Sequence, residues 1–119
     1  MNQFHDNQPI FVQITGRLVE MILSRTVGEG DPLPSVRQIA ADLSVNPLTV
    51  TRAFQALVDL DVVESKRGMG MFVRDGARQR LLEHERTQFL EAEWPRIRAR
   101  MAALEIDPAT LFNQGSEDE

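Results

Sequence analysis

The 119-residue sequence predicts a mainly α-helical fold with one small β-hairpin, and three observations carry that expectation. Apolar residues recur at helical spacing over residues 9–26 and again over 77–104. Between them lie two further helical patterns, separated by only residues 44–46. Two strand-like runs, 62–66 and 71–75, then flank the glycine-bearing turn Arg67-Gly68-Met69-Gly70. The order helix, helix, tight turn, helix, hairpin over residues 9–75 is that of a winged helix-turn-helix. A short helical dimerisation tail follows it.

Each element has a local cause. Pro9 suits the first position of a helix, where its missing N–H would be unpaired anyway, and Ile10, Ile14, Leu18 and Ile22 repeat along one face. Gly28, Gly30 and Pro32 punctuate the loop after it. Ser35 opens the second helix and forms a capping box with Gln38, while Val36, Ile39, Ala40 and Leu43 make its inward stripe. Asn46 caps the third helix and Pro47 starts it. Val50, Ala53, Phe54 and Leu57 are its buried face, which leaves Thr49, Thr51, Arg52 and Gln55 outside. These elements make a first domain, 1–76, expected to bind DNA.

The tail is expected at 77–113. Leu90, Trp94, Ile97, Met101 and Leu104 are spaced four, three, four and three, which is an a/d seam, and Leu82 and Phe89 extend it. Phe89, Leu90, Trp94, Ile97, Met101 and Leu104 are therefore the candidate dimerisation residues. Packing against the first helix is the other use open to that seam. Pro95 removes the hydrogen bond to the Glu91 carbonyl and is expected to kink or split the helix. Asp107 and Pro108 start one more short helix, ending near Asn113, and 114–119 reads as a disordered acidic tail.

Composition narrows the functional classes. There is no cysteine, so disulfides and thiolate metal sites are excluded. No apolar run approaches the ~20 residues of a membrane span, and the polar start lacks the features of a signal peptide. A cytoplasmic protein without a membrane partner is expected. His5 and His84 stand alone, and no nucleophile motif, phosphate loop or carboxylate pair is recognisable, so neither catalytic nor metal residues are named, no cofactor is expected, and the chain reads as a non-enzyme.

The net charge of −5 argues against nucleic acid as a partner. Placement changes that reading. Residues 35–74 hold five basic groups (Arg37, Arg52, Lys66, Arg67 and Arg74) against four acidic ones. Two helices joined by about three residues cross steeply, and the later one can then enter the major groove of a duplex. Asn46, Leu48, Thr49 and Thr51 at its start are compact enough to meet base edges, and Leu48 suits a thymine methyl. Arg37, in the second turn of the preceding helix, is placed to reach phosphate or guanine. Lys66 and Arg67 stand on the wing beside Gly68 and Gly70, which let backbone approach the duplex.

Blander uses compete at several positions. Ser35 needs no role beyond its cap, and the turn alone explains Gly68 and Gly70. Arg52 reaches either a phosphate or one of Asp59 and Glu64. Arg78, Arg80 and Arg86 read as a solvated face with Glu83 and Glu85. Two other functions stay open. One is a winged helix that binds a protein partner. The other is a regulator with an unidentified small-molecule effector between the tail helices and the first helix, near Met21, Phe89, Trp94 and Met101.

The stretch from Gly28 to Val73 resembles the DNA-binding domain of the GntR family of bacterial transcription regulators. The likeness rests on LPS-x-R-x-I-A at Leu33–Ala40, Val45-Asn-Pro-x-Thr-Val, Ala53 and Leu57 at their mutual spacing, and Gly-x-Gly-x-Phe-Val at Gly68–Val73. Pro9-Ile-Phe-x-Gln-Ile is similar to the family's first helix. Asn46-Pro47, Leu104-x-Ile-Asp-Pro-x-x-Leu111 and the short tail resemble the YtrA-type subfamily. The resemblance implies a homodimeric repressor on an imperfect palindrome of double-stranded DNA. It implies DNA contacts by Arg37, by Asn46, Leu48, Thr49 and Thr51, and by Arg67 and Gly68; Ser35, Arg52, Lys66 and Gly70 complete the candidate set. Two positions depart from the pattern: Leu48 stands where a polar residue is common, and Asp61 where glycine is usual.

Overall fold

A computed structural model describes Phe4 and residues 7–117, with the backbone alone for 114–117. His5 lies outside the described residues. The chain divides into two compact units, Met1–Glu83 and His84–Glu119.

The first unit holds α1 (Ile10–Leu23), α2 (Val36–Leu43), α3 (Pro47–Asp59), β1 (Val63–Lys66), β2 (Gly70–Val73) and the opening turns of α4 (Ala77–Gln88). Pro9 precedes α1 as its N-cap rather than occupying the first helical position; its ψ of 146° is extended, and its carbonyl accepts from Val12 and Gln13. Ile14, Leu18, Val19 and Ile22 are buried, while Ile10, first in the expected stripe, is exposed. The helix stops at Leu23, short of the expected 26. Arg25 turns left-handed (φ 63°) just beyond it. Ser35 caps α2 as expected, its Oγ accepting from the Gln38 N–H at 3.0 Å. Asn46 caps α3 through Oδ1 to the Leu48 N–H at 2.9 Å, with Pro47 at the start.

Ile39 and Ala40 from α2 meet Val50, Ala53, Phe54 and Leu57 from α3, with α1 against them, in one core. Val62, Val63 and Val73 close it from the hairpin. Ala77 and Leu81 belong to the same core, so α4 starts as part of the winged helix. The hairpin pairs Val63 with Val73 and Lys66 with Gly70. A loop the sequence did not predict as structured adds to it. Gly30 N–H donates to the Val73 carbonyl (2.8 Å), Val73 N–H to Asp31 (2.9 Å) and Leu33 N–H to Met71 (2.8 Å). The wing is thereby fixed along its inner edge to the loop between α1 and α2.

Three helices end in the same way without glycine. Ser44 (φ 55°), Asp61 (φ 60°) and Glu105 (φ 57°) are left-handed. After each, the next N–H returns to a carbonyl five residues back: Val45 to Ala40, Val62 to Leu57, Ile106 to Met101. That closure satisfies carbonyls the helix end would otherwise strand. Asp61 is held further. Its carboxylate lies 3.5 Å from Arg74, and its carbonyl accepts from Arg80 Nη1 at 3.2 Å.

The second unit takes the last residues of α4, a π-helical turn at Phe89–Glu93, α5 (Trp94–Ala103) and α6 (Pro108–Glu117). The expected disruption at Pro95 takes this form: the ladder shifts to an i→i+5 bond from Trp94 N–H to the Phe89 carbonyl, and helical geometry resumes with Pro95 in the first turn of α5. Inserting a π turn lets proline pass without a break, because its missing N–H falls where a new helix would have none. Asp107 caps α6, its Oδ1 accepting from the Ala109 N–H at 3.0 Å. The helix runs past Asn113 to Glu117, where the sequence suggested a disordered segment from 114; Asp118 and Glu119 lie outside the described residues.

Candidate nucleic-acid interface

The α2–α3 corner sets the geometry. Left-handed Ser44 reverses the chain, and Asn46 and Pro47 start α3 at once. The buried side of α3 is fixed by Val50, Ala53, Phe54 and Leu57, so its amino-terminal turn faces outward. Leu48 is 72% exposed. Asn46, Thr51 and Arg52 are exposed, and Thr49 is half-buried. Thr51 Oγ1 donates back to the Pro47 carbonyl at 3.1 Å, which leaves its lone pairs for another donor.

Arg37 is exposed at the second residue of α2, hence in its first turn rather than the second turn the sequence suggested. It stands at a helix amino-terminus, where the backbone dipole also favours phosphate. Ser35 is exposed beside it, its hydroxyl engaged in the cap.

Arg52 pairs with neither Asp59 nor Glu64. Its guanidinium lies over the Phe11 ring of α1, 4.1 Å from the centroid, while Asp59 accepts from Gln55 instead. The stack holds the charge in place and leaves its in-plane N–H groups open to a phosphate. Lys66 is braced in a similar way, its ammonium 4.5 Å from the Phe72 centroid. Sequence reasoning missed Phe11 and Phe72 as supports. Phe11 lies off the α1 apolar stripe, and that was the available signal.

At the wing, Met69 N–H closes the turn onto the Lys66 carbonyl at 2.8 Å. Gly68 (φ 77°) and Gly70 (φ 108°) supply backbone angles that side-chain-bearing residues resist. Lys66 and Arg67 are exposed. The structure thus gathers Ser35, Arg37, Asn46, Leu48, Thr49, Thr51, Arg52, Lys66, Arg67, Gly68 and Gly70 on three elements of one unit. The later arginines are used differently from expectation. Arg78 Nε donates to the Leu23 carbonyl at 2.9 Å, and Arg80 Nη1 to the Asp61 and Asp75 carbonyls, so both tie α4 down rather than forming a solvated face with Glu83 and Glu85.

The GntR family of bacterial regulatory proteins matches residues 11–73, from α1 through the wing. The chain belongs to this family. YhcF of Bacillus subtilis, an uncharacterised helix-turn-helix transcriptional regulator, is 37% identical over 76 residues, covering 64% of this chain and 63% of that protein. The transcriptional repressor YtrA of the same organism is 35% identical over 83 residues, 70% of this chain and 64% of its own. The matches thus span a little under two thirds of these curated relatives. A GntR family regulator from Listeria monocytogenes superposes with a TM-score of 0.76 at 28% identity, covering 98% of this chain and all of that one. The chain thus carries the family's winged helix, followed by a carboxy-terminal helical region, and is similar to YtrA and YhcF. The family is one of bacterial regulatory proteins, and both curated relatives are described as transcriptional regulators. No described helix is long and apolar enough to cross a membrane.

The dimerisation candidates fall in or around the second unit's helices. Phe89, Leu90, Ile97 and Leu104 are exposed, while Trp94 and Met101 are half-buried. Ile97, Met101, Leu104 and Ile106 line an open, mostly apolar groove of about 520 Å³. Met21 lines a different opening, between α1 and α2.

Proposed function

We propose that the chain is a cytoplasmic homodimeric repressor that binds an imperfect palindrome in duplex DNA. The observation that carries this reading is the exposed first turn of α3, set by a three-residue corner beside a glycine-tipped basic wing. Asn46, Leu48, Thr49 and Thr51 read base edges in the major groove. Arg37, Arg52, Lys66 and Arg67 bind phosphate, with the Ser35, Gly68 and Gly70 backbone close to the strands. Two such units on a symmetric dimer enter successive major grooves about one helical turn apart, and occlusion of a promoter then represses.

The dimer reading rests on the second unit. No described residue from His84 to Asn113 is buried. A helical segment with Leu90, Ile97, Leu104 and Leu111 exposed lacks a core of its own, and a second copy supplies the missing surface. On this reading the helices from His84 to Asn113 are the dimerisation tail, and the winged helix extends past the expected boundary at 76 into the buried start of α4.

Selecting bound duplexes from a random pool with the purified full chain tests the whole proposal. A two-fold-symmetric site whose affinity falls steeply with salt is expected. Light scattering should give the mass of a dimer; a stable monomer that still binds tightly would sink the symmetric model. The net charge of −5 favours a second reading, a winged helix that engages a protein, and the lack of salt-sensitive binding to any duplex would select it.

A further inference from the structure

In the first unit, three large apolar side chains among the described residues are exposed: Ile10 at 43%, Leu48 at 72% and Met69 at 68%. The last two stand where a winged helix meets a duplex. Leu48 already has a use there. Met69 has none, and nothing in the core calls for it.

Met69 stands at the tip of the hairpin between two residues without side chains. A Cβ placed at Gly68 or Gly70 would meet no atom within 4 Å beyond its own chain neighbours, so no other part of the chain crowds the tip. The thioether therefore projects from a ribbon that is narrow on both sides. Arg67, next to it, makes no hydrogen bond or ion pair among the described residues, and Lys66 is braced on Phe72. A slim tip with an apolar point and flanking cations fits the minor groove, which is about 6 Å wide. The groove floor differs between base pairs there. Guanine carries an exocyclic amine into it and A·T pairs do not. A thioether is a poor acceptor, so it would bury that amine unpaired.

Given the DNA-binding reading, on which this rests, we propose that Met69 is a specificity-determining residue that packs into the minor groove and selects base pairs lacking the guanine amine beside each half-site. Arg67 adds attraction to a narrow groove but does not create the preference.

The test uses the full chain and the duplex selected from the random pool. Hydroxyl-radical footprinting locates the base pairs under the wing. These are then made A·T, G·C or inosine·cytosine; the last keeps the major-groove face of G·C but the minor-groove floor of A·T. A·T and inosine·cytosine should bind alike, and G·C about five-fold or more weakly. Met69→Ala should bind the three alike, with the salt dependence and melting temperature unchanged. Equal binding of the three by the natural chain overturns the proposal. So does inosine·cytosine behaving as G·C, or a preference that survives Met69→Ala and disappears in Arg67→Ala. If no duplex shows salt-sensitive binding, the DNA reading itself fails, and this proposal with it.

Discussion

Asp61 gives the most direct check on the first unit. It follows α3 at φ 60°, the left-handed region, where a residue with a Cβ costs about 1–2 kcal/mol and aspartate sits at the low end. Its carboxylate is 3.5 Å from Arg74, but the side chains are 73% and 40% exposed, so the pair contributes only a few tenths of a kcal/mol, on the order of other surface pairs. The Arg80 bond goes to the Asp61 carbonyl and survives any substitution of the side chain. Asp61→Ala keeps the left-handed cost and loses the pair. Asp61→Gly loses the same pair but removes the left-handed cost, offset by about 0.5–1 kcal/mol of extra chain entropy in the unfolded state. The glycine variant should therefore exceed the alanine variant by about 0.5–1 kcal/mol, roughly 2–8 °C in melting temperature for a domain of this size. Urea titration of both variants at two salt concentrations supplies the measurement. Equal stability of the two would refute the left-handed turn and with it the closure of α3 onto β1.

Three further outcomes are expected. Gly16 lies in the middle of α1, and a Cβ there meets nothing within 4 Å, so Gly16→Ala should stabilise by about 0.5–1 kcal/mol in a thermal melt. Leu81 is fully buried, so Leu81→Ala should destabilise by about 2–5 kcal/mol in denaturant titration, a loss absent if α4 stood apart from the winged helix. Arg37 is exposed and not part of the core, so Arg37→Ala should leave the melt unchanged, weaken binding to the selected duplex and lower the salt slope by about one.

What the sequence made legible follows from where the strongest local signals lie. Ser35, Asn46, Pro47 and Asp107 are side-chain or φ signals that act within a few residues, and each helix start is where they placed it. Helix ends were harder. Arg25, Ser44, Asp61 and Glu105 take positive φ without being glycine, so nothing in their identity marks the stop. The glycines at 28 and 30 drew the expected end of α1 beyond its true end at Leu23. The candidate contact residues were legible as a group because a short corner and a wing leave few surfaces. Their supports were not, since the Phe11–Arg52 and Phe72–Lys66 stacks depend on tertiary approach. The same holds for Arg78 and Arg80, whose carbonyl partners at Leu23 and Asp61 are distant in sequence.

The acidic balance is best weighed by distance. At physiological salt the Debye length is about 8 Å, so a phosphate feels chiefly the charges beside it. Of the four acids within 35–74, Asp59 accepts from Gln55 and Asp61 faces Arg74, whereas Arg37 and Arg67 have no acidic partner among the described residues. Arg52 and Lys66 stack on aromatic rings, which hold a cation without neutralising it. The four cations of the candidate interface thus keep their charge, while the excess of acids accumulates largely elsewhere on the chain. Such a distribution supports contact with phosphate at short range and repels the duplex at long range when salt is low. A regulator built this way depends on fit at the corner and wing for its affinity, because bulk attraction contributes little to holding it on unrelated DNA.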